Sequence, residues 1–255
     1  LAGISAYRWL KKDQSQEVMT TIRAALLVAA TLIPIQIIVG DLHGLNTLKH
    51  QPAKIAAMEG IWETQQGAPA VLIALPDAKT QSNQFEIAIP KLASFYLTHD
   101  WQGEIKGIKS FPDQHPPVAP VFFAFRLMVG VGLLMLAVSW FVAWQIYRKK
   151  NLTHVTAKML LAMTFSGWLA LIAGWYVTEV GRQPWLVYNV LTTAQAASQV
   201  SASHIALTLG LYLSLYAVLL IAYVSVIFHL AKKATQKNHP TEQILKQTLP
   251  EVRHV

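Results

Sequence analysis

Apolar residues in this chain come in long runs separated by polar stretches, and the run lengths carry the first inference. From Ala24 to Gly40 about 17 residues are almost unbroken in apolar character, the minimum for a membrane span. Pro34 sits in that run, where a kink is tolerated because neighbouring groups in a membrane bundle re-satisfy the freed backbone. Three further runs, Val118 to Ile146, Met159 to Val180 and Ile205 to Leu230, are long enough to cross. The pattern predicts an all-α integral membrane protein with four complete transmembrane helices, over 13–40, 118–147, 159–180 and 205–231. Residues 1–12 read as the end of a truncated span running into a basic turn at Arg8, Lys11 and Lys12, so the chain is expected to be the later part of a longer protein.

The connections differ in kind. Residues 41–117 are polar, contain prolines and short amphipathic stretches, and are too long for a plain loop, so they should carry structure of their own. Shorter connections are expected over 148–158 and 181–204, and a polar tail over 232–255 with a short helix near Thr241 to Gln247. No internal repeat is visible.

Composition agrees with a membrane protein, with 53% hydrophobic against 13% charged residues. There is no cysteine, which excludes disulfides, thiolate metal sites and c-type haem attachment, so any metal must be held by His, Met, Asp, Glu or backbone. The net charge of +8 would fit a nucleic-acid partner, but its distribution argues against one. Arg8, Lys11, Lys12 and Arg23, then Arg148, Lys149, Lys150 and Lys158, then Lys232, Lys233 and Lys237 fall on one side of alternating spans. The long loop holds six lysines against eight acids. By the positive-inside rule the basic clusters and the C-terminus lie in the cytoplasm, with the 41–117 and 181–204 loops outside.

Candidate chemistry concentrates at the end of the third run, in Trp175-Tyr176-Val177-Thr178-Glu179-Val180-Gly181-Arg182-Gln183-Pro184-Trp185. Trp168, Ile172, Trp175, Tyr176 and Glu179 fall at spacings of three and four, so one helix face carries aromatics down to an acid. Glu179 could pair with Arg182, ligate a metal, or simply sit at the water interface. Arg126, about two turns inside the second run, needs an anion or a wet cavity. Met128 lies roughly 200° around the helix from it and does a different job, either as core filling or as an axial donor to low-spin haem. In the long loop, Lys54 and Glu59 are about 140° apart on a helix and are not an i,i+4 pair. They read either as part of a solvated amphipathic helix or as a base and a cation for a hydroxyl substrate.

Gly181-Arg182-Gln183-Pro184-Trp185 resembles the GRQPW signature of subunit I of cytochrome bd-type quinol oxidases. Pro117-Val118-Ala119-Pro120 with Phe122-Phe123-Ala124-Phe125-Arg126-Leu127-Met128 is similar to the pattern of the same family at this place, and Lys54 to Thr64 to the start of its quinol-binding loop. The resemblance covers nearly the whole chain. It implies that Met128 is an axial ligand of a low-spin haem b and Glu179 an iron ligand at a di-haem oxygen-reducing site, holding high-spin haem b with haem d or a further haem b. It further implies that Lys54 and Glu59 serve ubiquinol oxidation, that Arg126 and Arg182 serve haem electrostatics, and that Trp175 packs beside haem. The expected activity is electrogenic quinol:O2 oxidoreduction in the bacterial inner membrane, with ubiquinol, O2, subunit II and lipid as partners and no nucleic acid. The early arrival of Ser110 to Val118 resembles the short-loop subgroup, which includes cyanide-insensitive oxidases. The family's histidine ligands fall upstream of Leu1, so His43, His50, His99, His115 and His204 are given no metal role. Two other classes fit the intramembrane charges: an ion transporter, disfavoured by the lack of repeated halves, and a non-catalytic multi-span subunit.

Overall fold

The computed structural model describes residues 1–13, 15–149 and 151–237. The chain divides into two compact units, Leu1–Ala197 and Ser198–Val255. Four helical segments are long and apolar enough to cross a membrane, as the hydropathy pattern predicts. In the first unit, α1 (Ala2–Leu10), α2 (Gln16–His50), α5 (Val118–Lys149), α6 (His154–Ala162) and α7 (Ser166–Gly181) form the bundle. The described part of the second unit is α8 (Ala202–Lys237). The short helix expected at Thr241 to Gln247 lies outside the described residues.

Several boundaries differ from the sequence reading. Helix α2 does not stop at Gly40 but continues to His50, because nothing between Asp41 and His50 breaks a helix once the apolar run has started it. The predicted span 159–180 is two helices, α6 and α7, joined by a 3₁₀ turn at Met163–Phe165. There the hydroxyls of Thr164 and Ser166 donate to the carbonyls of Leu161 and Met163 at 2.6 and 2.7 Å, which competes with the regular ladder. Thr153 and Thr156 close a reciprocal capping box at the start of α6.

At the basic end of the bundle, Ala6, Ile22, Val142 and Ala157 are fully buried in one cluster shared by α1, α2, α5 and α6. Gly3 permits the close crossing there: a methyl group on it would lie 2.0 Å from Thr164 Oγ1. Further along, Trp140 of α5 donates its indole N–H to the carbonyl of Ala30 at 3.0 Å. That carbonyl is the one Pro34, four residues on and without an N–H, cannot serve.

The 41–117 loop folds as a cap rather than a set of solvated stretches. It contains α3 (Pro52–Glu59), the antiparallel hairpin of β2 (Ala70–Asp77) and β3 (Ser82–Ile89), α4 (Leu92–Thr98), and a two-residue pairing of β1 (Gln65–Gln66) with β4 (Glu104–Ile105). Its core, including Ile55, Ala57, Ile61 and Ile105, closes on Val118 and Val121 of α5 and on Val177 of α7. After α7, β5 (Trp185–Val187) pairs with β6 (Leu191–Thr192). Strands are confined to connections, and the architecture remains helical.

Candidate functional site

Pro52 at the first position and Gly60 at a left-handed C-cap (φ 67°) delimit α3, and the cap lays it across the end of α7. All of Ala53 to Glu59 is buried, so the solvated amphipathic helix allowed by the spacing is corrected: α5, α7 and the rest of the cap cover every face. The aliphatic stem of Lys54 crosses Gly181, where an added methyl group would meet Lys54 Cε at 3.1 Å. A side chain in place of Gly181 would press on the lysine stem at the head of the Gly181-to-Trp185 motif. The ammonium reaches the last turn of α7, 3.5 Å from the Thr178 carbonyl, at the negative end of the helix dipole. Burial pushes the Lys54 ammonium below the usual lysine range, with Glu179 opposing and Arg182 reinforcing that shift.

Lys54, Glu179 and Arg182 line one cavity of about 240 Å³ together with Gln51, Trp185 and Tyr188. Arg182 donates to the Glu179 carboxylate at 2.6 Å, so the pairing allowed by the spacing is present. Among the described residues, four buried side-chain polar atoms have no hydrogen-bond partner. Three of them, Gln51 Oε1, Arg182 Nε and Trp185 Nε1, belong to residues of this cavity. Such concentration at one place marks a polar site.

Glu59 is held elsewhere. Its carboxylate accepts from Arg126 at 3.0 Å, and both are largely out of solvent. Arg126 also donates to the carbonyls of Met58 and Val71, and its guanidinium stacks 4.2 Å from the Phe122 ring centre. The anion required by an intramembrane arginine is thus supplied by the cap. Tyr96 stands against the pair: burial first, then the charge and hydrogen bonding of Glu59, push its phenol up.

Met128 and Arg126 do point to different neighbours. Met128 is half-buried between α5 and α7, with its sulfur 3.1 Å from where a methyl group on Gly174 would lie. Glycine there leaves room for the thioether. Trp168, Ile172, Trp175 and Tyr176 present an exposed apolar face on α7, each more than half accessible.

The structure therefore gathers Lys54, Glu179 and Arg182 in one place, joins Glu59 to Arg126 in another, and sets Met128 at a third. No group of three or more His, Cys, Asp or Glu residues that could hold a metal occurs among the described residues. Sequence reasoning did not find Gln51, Trp185 or Tyr96. Trp185 carried a signal, as part of the motif, whereas Gln51 and Tyr96 carried none.

Comparison with known proteins gives a consistent result. The family model described as cytochrome bd terminal oxidase subunit I matches residues 1–235. Cytochrome bd ubiquinol oxidase subunit 1 of Bacillus subtilis is 32% identical over 78% of this chain and 45% of its own length. Cytochrome bd-II ubiquinol oxidase subunit 1 of Escherichia coli is 29% identical over 80% of this chain and 54% of its own. A putative cytochrome bd menaquinol oxidase subunit I of Bacillus subtilis is 30% identical over 96% of this chain and 55% of its own. Among solved structures, the bd oxidase of Geobacillus thermodenitrificans superposes with a TM-score of 0.79 at 28% identity, covering 91% of this chain and 54% of that one. The chain spans about half the length of the curated relatives it matches. The coverage of the family model and the agreement of fold lead to one conclusion: the chain belongs to the cytochrome bd terminal oxidase subunit I family.

Proposed function

We propose that the chain works within a quinol:O2 oxidoreductase of the bacterial inner membrane, beside a subunit II, oxidising ubiquinol on the side of the 41–117 cap and reducing O2 to water. The observation that carries this reading is the cavity in which Lys54 of the cap meets Glu179 and Arg182 at the end of α7, among residues that hold three unpartnered polar atoms. The relatives, ubiquinol and menaquinol oxidases by name, support the substrate class.

Haem suits the residues present. The thioether of Met128, a neutral soft donor packed beside Gly174, would be this chain's residue to hold the iron of a low-spin haem b. The Glu179 carboxylate, with Arg182 as counter-charge, fits a single anionic donor to the iron of an oxygen site that holds haem d or a further haem b. The exposed Trp168 and Trp175 offer a flat apolar wall beside it. Haem bound there supplies the redox-active iron that O2 chemistry needs.

The chain's own contribution is positional and electrostatic. Lys54 presents a desolvated cation, and Arg182 and Trp185 present donors, to an oxygen-bearing ligand. Glu59, paired with Arg126 apart from the Lys54 cavity, holds the cap in register. With the cap outside and the C-terminus in the cytoplasm, protons are released outward and consumed from the inside, so turnover is electrogenic without a pump.

A visible spectrum of the purified complex tests the reading. Haem bands that sharpen on addition of a short-chain quinol, and reoxidise with O2, are expected. A complex without haem absorption, or with bands that ignore quinol, overturns it.

A further inference from the structure

We propose that the β2–β3 hairpin is a membrane-surface anchor whose outward face lies in the leaflet on the side of the cap. The depth of the hairpin can be counted along α5. At the basic end, Arg148 lies over the Trp144 ring, 5.8 Å from its centre, a basic–aromatic pair of the kind that marks a membrane interface. A hydrocarbon core of about 30 Å corresponds to ~20 helical residues, and that count back from Arg148 ends near Met128. Arg126 therefore stands at the opposite boundary.

The hairpin is fastened at this level. Arg126 Nε donates to the Val71 carbonyl at 3.0 Å, and Phe122 of α5 is buried together with Val71 and Ala74. Away from that contact the hairpin exposes Leu72, Ile73, Leu75, Phe85, Ile87 and Ile89, between 44% and 80% accessible. A hairpin meant for water would place polar side chains here. Of the hairpin's charges, Asp77 and Lys79 sit at the turn, and the exposed Glu86 carboxylate accepts from Asn83 at 2.8 Å. The exposed apolar side chains of α5 at the same height, Phe123 and Leu127, continue this surface along the helix. An apolar surface at the height where hydrocarbon gives way to headgroups has lipid as its occupant. The inference concerns where the cap rests and stands apart from the redox reading.

The chain has no cysteine, so an introduced one is its sole thiol. Ile73→Cys and Phe85→Cys, each carrying a nitroxide label, are placed in the full-length oxidase in vesicles of phosphatidylethanolamine and phosphatidylglycerol, with the unsubstituted protein labelled in parallel as background. Collisional relaxation by O2, which partitions into lipid, is compared with that by a water-soluble nickel chelate. Both sites should relax with O2 and be shielded from the chelate. Chelate-dominated relaxation places the hairpin in water and overturns the proposal. Shielding from both reagents means that protein covers the face, and overturns it equally.

Discussion

Trp140→Phe removes one N–H and keeps an aromatic ring at the same place on α5, so it isolates the bond to the Ala30 carbonyl. Trp140 lies about two turns before Arg148, which at 1.5 Å per residue is about 12 Å into the bilayer. Water does not reach that depth to replace the indole. Hydrogen bonds between membrane helices average about 0.6 kcal/mol and reach about 1.7 kcal/mol, so a loss of about 1 kcal/mol is expected. The carbonyl needs an outside donor only because Pro34 has no N–H. Pro34→Ala supplies that N–H, and in its presence Trp140→Phe should cost close to nothing beyond the change of ring size. The assay is a double-mutant cycle on the full-length subunit in mixed micelles, unfolded by increasing SDS and followed by the far-UV helix signal. Equal losses in both backgrounds, within about 0.3 kcal/mol, would show that the indole does not compensate for the proline.

Met128→Leu keeps volume and apolarity, so helix content should be unchanged while the low-spin haem signal disappears or turns high-spin; an unaltered spectrum would make Met128 ordinary packing. Glu59→Gln or Arg126→Gln alone leaves a buried charge unpaired, at a cost of about 3–5 kcal/mol. Limited proteolysis of the cap should therefore accelerate in either single variant, and less in the double variant than the two effects combined; simple additivity would argue against the pair. Glu179→Gln keeps shape but removes the anionic donor, so it should abolish O2 consumption and alter the high-spin bands while quinol still reduces the Met128-linked haem; wild-type respiration in this variant would reduce Glu179 to a helix-end acid.

The spans were legible because a membrane helix advertises itself by length and apolarity alone, with no partner needed to define it. The break at Met163–Phe165 was not, because its cause is two hydroxyls bonding back within a turn, and Thr164 and Ser166 barely disturb an apolar average. The hairpin lies in a segment whose overall polarity hid two short apolar stretches, Ala70 to Leu75 and Phe85 to Ile89. Lys54 shows the limit most clearly. Spacing within Pro52–Glu59 describes one helix, whereas its burial depends on α5 and α7, which arrive much later in the chain. The motif around Arg182 could be read as a word, and Met128 as a separate donor, but the union of Arg182 with Lys54 and of Arg126 with Glu59 required three dimensions.

The crossing of Lys54 over Gly181 also sets an order of events during synthesis. The cap's core includes Val177, and the Lys54 ammonium contacts a carbonyl 124 positions further along the chain. At about 5–20 residues per second, α7 leaves the ribosome some 6–25 s after Lys54 does. Through that interval the loop has been made and the surface it must settle on has not. Its apolar residues and its lysine lack their final cover until the third span of the unit is inserted. The cap therefore completes its core only after α7 has been inserted, although the whole of it is translated before α5.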